Sequence, residues 1–170
     1  MPAPVPNTDP APIFDAIIAK LVAAAVVPTA TAAVMTAAPE AAPHHVGDAD
    51  VLIWPQDEVS GEQQVAAGGR EATWVEHRFS VIARSRLDLD ESGRDRKRLT
   101  HSSRGHYVLR AAVRDALHLF WPEDSSLRAL GVQPIRWVKT APPKRDRDPG
   151  AASWVSSQLE FTFRYGANLS

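Results

Sequence analysis

The chain has 170 residues, 44% of them hydrophobic and 23% charged, with a formal net charge of −1. Those values suit one globular domain with a sizeable core and argue against disorder of the whole chain. With no cysteine, disulfides, thiolate metal sites and cysteine nucleophiles are excluded.

Residues 1–10 form a proline-rich, extended N-terminal arm ending in Asp9-Pro10, a cap followed by a helix-starting proline. Phe14, Ile17, Ile18, Leu21 and Ala25 share one helical face, so a helix is expected over about 11–27. This apolar stretch is too short and too charged (Asp15, Lys20) to span a membrane, and it fits a signal peptide poorly. Residues 28–48, rich in Ala, Thr and Pro, read as a linker-like loop.

Val51–Trp54 is a short buried strand expected to stop at Pro55. Residues 56–71 are polar and end near Gly68-Gly69, a loop or hairpin connection. From Thr73 to Leu87 the chain alternates. Val75, His77, Phe79, Val81 and Ala83 share one face; Trp74, Glu76, Arg78, Ser80, Arg84 and Arg86 share the other. A long hydrophilic loop covers 88–104, and an amphipathic helix is expected over about 105–120, ended by Pro122. Leu127, Leu130 and Val132 are expected along one edge of the core. A strand at 135–140, a charged tip within 141–152 and a strand at 153–165 close the chain, with 167–170 as a tail. The expected fold is α+β: a mainly antiparallel four-stranded sheet with two helices on one face, in the order α-β-β-α-β-β. Residues 11–166 make one domain.

Charge is unevenly placed. Residues 1–69 hold one base and eight acids; residues 70–170 hold 18 bases and 12 acids. Such polarity suits a molecule that stacks or rings head to tail, and equally a chain whose loops simply run acidic early and basic late.

Several chemical constellations fall short. Asp88-Leu-Asp90-Glu-Ser92-Gly93 starts like a calcium loop, but its twelfth position is Leu99 in place of a bidentate Glu. His44, His45 and Asp48 have no second cluster to complete a metal site. His77 reads as a hydrogen-bonded core histidine. His101-Ser102-Ser103 lacks an identifiable acid for a triad. Gly68-Gly69 lacks the lysine and helix of a phosphate loop. No catalytic residue, metal or cofactor is assigned.

The binding candidates are the bases Arg84, Arg86, Arg94, Arg96, Lys97 and Arg98, the tip residues Lys144, Arg145 and Arg147, and the outward tryptophans Trp74 and Trp154. The basic segment 84–110 supports an alternative reading as a nucleic-acid-binding accessory protein, although acids interrupt it and no aromatics interleave. A small hydrolase is a third and weaker reading.

An N-terminal helix, then VLIWPQDEV, WVEHRFSVIARSRLD, YVLRAAVRDALHLFW and a closing QLEFTFRYG resembles the tail terminator proteins of long-tailed phages. Neck and tail-completion proteins, and the tube-capping proteins of phage-like particles, are similar. The resemblance covers roughly residues 11–166, with Arg110–Leu117 and Phe161–Tyr165 as its main textures. It implies a non-enzymatic virion protein, assembled in the host cytoplasm. Such a protein forms a ring with copies of itself, six-fold in the family, at the head-proximal end of the tail tube. Its implied partners are the tail tube protein and the head–tail connector or stopper proteins, with passing contact to DNA in the lumen and none to membrane. A head-completion or other neck role is the alternative within the class.

Overall fold

The computed structural model describes residues 11–26, 32–34, 49–66, 70–87, 105–122, 132–147 and 153–168. Their elements run α1 (Ala11–Ala23), β1 (Ala32–Val34), β2 (Ala49–Ala66), β3 (Arg70–Leu87), α2 (His106–Leu117), β4 (Arg136–Thr140), β5 (Lys144–Arg147) and β6 (Ser153–Asn168). The class is α+β, as expected, but the sheet has six strands where four were expected. Its order is β1-β2-β3-β6-β4, with β5 also paired to β6. All pairings are antiparallel except β1 with β2.

The two extra strands come from segments with poor strand signals. β1 lies in the Ala/Thr/Pro stretch read as a linker, and β5 in the charged tip read as a loop. β6 already holds its register with β3 over residues 153–168, so its other edge offers a template to whatever chain returns beside it. Tertiary pairing overrides weak local propensity there. β2 also continues past Pro55, where it was expected to stop. Register shifts between Pro55 and Glu58 and between Ser60 and Gln63 absorb the irregularity. The polar segment 56–66 is thus strand, joined to β3 as a hairpin.

The helices end earlier than expected, at Ala23 and Leu117. α1 closes with Ala25 in the left-handed region (φ 47°). The Val26 amide donates to the Leu21 carbonyl and the Ala25 amide to that of Val22, a Schellman closure with alanine in the position glycine favours.

Both helices pack on one face of the sheet. Ile13, Phe14, Ile17 and Leu21 of α1 and Leu109, Val113 and Leu117 of α2 meet Val51, Ile53, Phe79, Val81, Ala83, Leu159, Phe161, Phe163 and Tyr165 in one buried cluster, together with Val132 and Ile135. Aromatic rings order its centre. Phe79 stacks on Phe161 (centroids 5.4 Å apart) and His77 on Phe163 (5.3 Å), while the Phe14 ring meets His77, Phe79 and Phe163 edge-on. Each such pair adds about 0.5–1.5 kcal/mol beyond area burial.

The opposite face divides in two. At one end Asp50, Leu52, Ile82, Arg84 and Trp154 are buried. At the other end the charges stay wet: Arg164 pairs with Glu76 at 2.9 Å and Lys139 with Glu160 at 3.3 Å. A groove of about 360 Å³ lies there between Gln56, Arg78 and Val138.

Candidate assembly surface

β4 lies at the end of the strand order, bonded to β6 on one side. Among the described residues no strand pairs with its other side. A register shift between Trp137 and Lys139 leaves Val138 unpaired and turns it outward, 52% exposed. Trp137 is held in a fixed pose. Its indole Nε1 donates to Thr140 Oγ1 (3.0 Å), its amide donates to His118 Nδ1 (3.2 Å), and the Arg114 guanidinium lies over the ring at 5.7 Å.

The end of α2 adjoins this strand. Leu119 adopts φ 63°, a left-handed conformation that costs an L-residue roughly 1–2 kcal/mol. Two backbone bonds hold the turn against the start of β4: Leu119 amide to Ile135 carbonyl (2.8 Å) and Ile135 amide to Phe120 carbonyl (2.9 Å). The turn leaves Leu119 64% and Trp121 54% exposed. A groove of about 550 Å³ runs beside them, lined by Lys20, Asp115, His118 and Phe120. The result is a supported apolar edge: Leu119, Trp121 and Trp137 are exposed on the helix side of β4, with Arg114 over the Trp137 ring, and Val138 is exposed on the other side of the strand. Backbone strain kept by a fold under this kind of restraint is a pointer to use.

Buried polar groups stand apart from that surface. His106 sits between Ser85 Oγ (3.0 Å from Nδ1) and Ser157 Oγ (2.7 Å from Nε2). Burial, reinforced by the nearby Arg110 charge, lowers its pKa to about 4, so the ring is neutral near pH 7. At the other end of the same face, His77 Nδ1 and the Tyr165 hydroxyl both donate to Glu58 Oε1, each at 2.9 Å. His77 is therefore the hydrogen-bonded core histidine expected, although its Nε2 has no partner among the described residues. Asp50 and Arg84 form a bidentate pair. No group of three or more metal-ligating side chains occurs among the described residues.

The sequence-derived candidates are scattered. Arg84 was expected on a wet face; it does lie on the face away from the helices, but it is buried against Asp50. Trp154 likewise occupies the expected face, yet it is 4% exposed. Strand alternation assigns a face but not whether that face meets water. Arg86, Lys144 and Arg145 are exposed. Arg147 lies on β5 and Trp74 on β3, with their side chains outside the described residues, as are Arg94, Arg96, Lys97 and Arg98. The possible calcium loop, the His44–His45 pair, His101–Ser103, Leu127 and Leu130 also lie outside them.

The sequence reading missed Leu119, Trp121, Trp137 and Val138 as a surface. The only local signal was a tryptophan after a helix end and another at a strand start, in segments that the backbone bonds of Leu119, Phe120 and Ile135 bring together.

No family model matches the chain, and no curated protein matches it. Among solved structures it is similar to a chain of the "Virion of native gene transfer agent (GTA) particle". The identity is 18%, the TM-score is 0.47, and the match covers 91% of this chain and 92% of that one.

Proposed function

We propose that this chain is a structural subunit of a phage-like virion that works by contact rather than by catalysis. Copies of it form a ring, six-fold as in the tail terminator proteins its sequence resembles. The ring sits at the head-proximal end of the tail tube, stops tube growth and presents a surface to the head connector.

The observation that carries this reading is the exposed apolar surface at β4 and the end of α2. Monomeric proteins seldom leave several large apolar side chains exposed along one edge. Here Leu119, Trp121, Trp137 and Val138 are exposed, and a strained turn and a bulge hold two of them outward. Rigid aromatic anchors of this kind concentrate binding energy at protein interfaces.

The test is electron microscopy of the purified chain mixed with tubes assembled from its particle's tail tube protein. Rings capping tube ends are expected. A chain that stays monomeric and never decorates a tube end overturns the proposal.

A further inference from the structure

We infer that the two opposite edges of the sheet are complementary halves of one contact, so that β4–β5 of one copy docks against the outer edge of β2 and the neighbouring α1 of the next. The occupant of the β4–β5 edge is thus a second copy of this chain. The inference rests on the ring reading above and specifies which surfaces close the ring.

Charge is the first ground. The segment 136–147 carries five bases and one acid, whereas 49–66 carries no base and four acids, of which Asp50 is buried against Arg84 and the other three lie within 57–62. The fold puts these segments towards opposite sides of the sheet, with only β1 beyond β2. Arg136, Lys139, Lys144 and Arg145 are exposed on one edge. Asp57 and Glu58 are exposed on the other, with Asp15 exposed on α1, which contacts β1 there. Glu58 is held in place by His77 and Tyr165.

Coverage is the second ground. β1 pairs only with residues 51–53 of β2, so among the described residues no strand lies outside 54–59. Each edge also has an apolar anchor: Val59 on one, Trp137 and Val138 on the other.

Topology is the third. β2 and β4 run in opposite directions, because three successive antiparallel pairings separate them. Copies in the same orientation therefore present these edges antiparallel. Pro55 in β2 and Pro142-Pro143 between β4 and β5 remove amides from both edges, which opposes continuous backbone pairing. Side chains then carry the contact, and it weakens as salt rises.

Like edges repel and unlike edges attract, so the contact is head to tail. Heterologous contacts close as rings or run on as filaments.

The test uses two charge-reversed full-length chains. Arg136→Glu with Lys144→Glu leaves 136–147 with three bases and three acids, which cancels its attraction to the acidic edge; Asp15→Lys with Asp57→Lys sets two bases among the acids of the other edge. All four side chains are exposed, so circular dichroism melts should match wild type. Mass photometry is expected to show each variant alone assembling at least about tenfold more weakly than wild type, and a one-to-one mixture assembling again as alternating copies. Variants that assemble like wild type overturn the edge assignment while the ring reading stands. So does a mixture that fails to recover. A wild-type chain that neither oligomerises nor caps tubes overturns both.

Discussion

At the scale of single residues, Asp50 and Arg84 depend on each other for their charge. Both are buried, at 1% and 5% exposure, and each satisfies the other. Asp50→Ala takes the bidentate counter-charge from a buried guanidinium, so it should cost about 3–5 kcal/mol in urea unfolding. The double change Asp50→Leu with Arg84→Met removes both charges and should come out within about 1 kcal/mol of wild type, or above it. His106 gives a pH prediction. Its folded-state pKa of about 4 lies below the ordinary 6.5, so between those values the unfolded chain binds more protons. The stability of keeping the ring neutral is fully present above pH 6.5 and is lost as pH falls towards 4, up to about 3 kcal/mol. His106→Gln should flatten that part of the stability–pH curve; an unchanged slope would show that the acid sensitivity comes from other groups. Neither partnership was legible in the sequence. Alternation gave the face of Arg84, but a period of two says nothing about Asp50, 34 residues away, or about two serines on separate strands meeting one imidazole.

At the scale of elements, legibility followed the strength of the period. α1, α2, β3 and β6 have long amphipathic patterns, and each was readable to within a few residues. β1 and β5 were not readable, because three and four residues cannot display a period and neither composition favours strand. β2 was cut short at Pro55 because proline in a central strand removes a ladder bond. Beyond β1 this stretch is an edge among the described residues, where proline is tolerated. Helix ends were misjudged for a related reason: the apolar pattern of α1 runs on to Ala25, but Ala25 already lies in the left-handed region. That geometry yields a prediction. Ala25→Gly relieves the Cβ clash at the closing position of α1, and it should raise stability by roughly 0.5–1 kcal/mol in thermal melts. A destabilised variant would mean that the closure is held by contacts of the Ala25 methyl group.

At the scale of the whole molecule, folding and assembly draw on different side chains. The core is built on the helix-facing side of β3 and β6, where partners such as Val81 and Leu159 are 78 residues apart in sequence. Phe161, fully buried and stacked on Phe79, belongs to that part, and Phe161→Ala should cost about 3–5 kcal/mol. The assembly surface belongs to residues that the core hardly uses. Trp121 and Trp137 are 54% and 37% exposed, and Trp137 is steadied by single hydrogen bonds and one guanidinium. Truncating both to alanine also gives up the buried part of each ring, so the double variant should melt below wild type while staying folded, because the fully buried cluster is untouched. It should nevertheless lose ring formation and tube capping, because aromatic anchors dominate interface energy. Comparing melts with mass photometry on the same samples separates the two roles. A variant that stays folded and still caps tubes would remove this surface from the contact and leave the charged sheet edges to be tested alone. A variant that fails to fold would place the two tryptophans in the core, against their exposure.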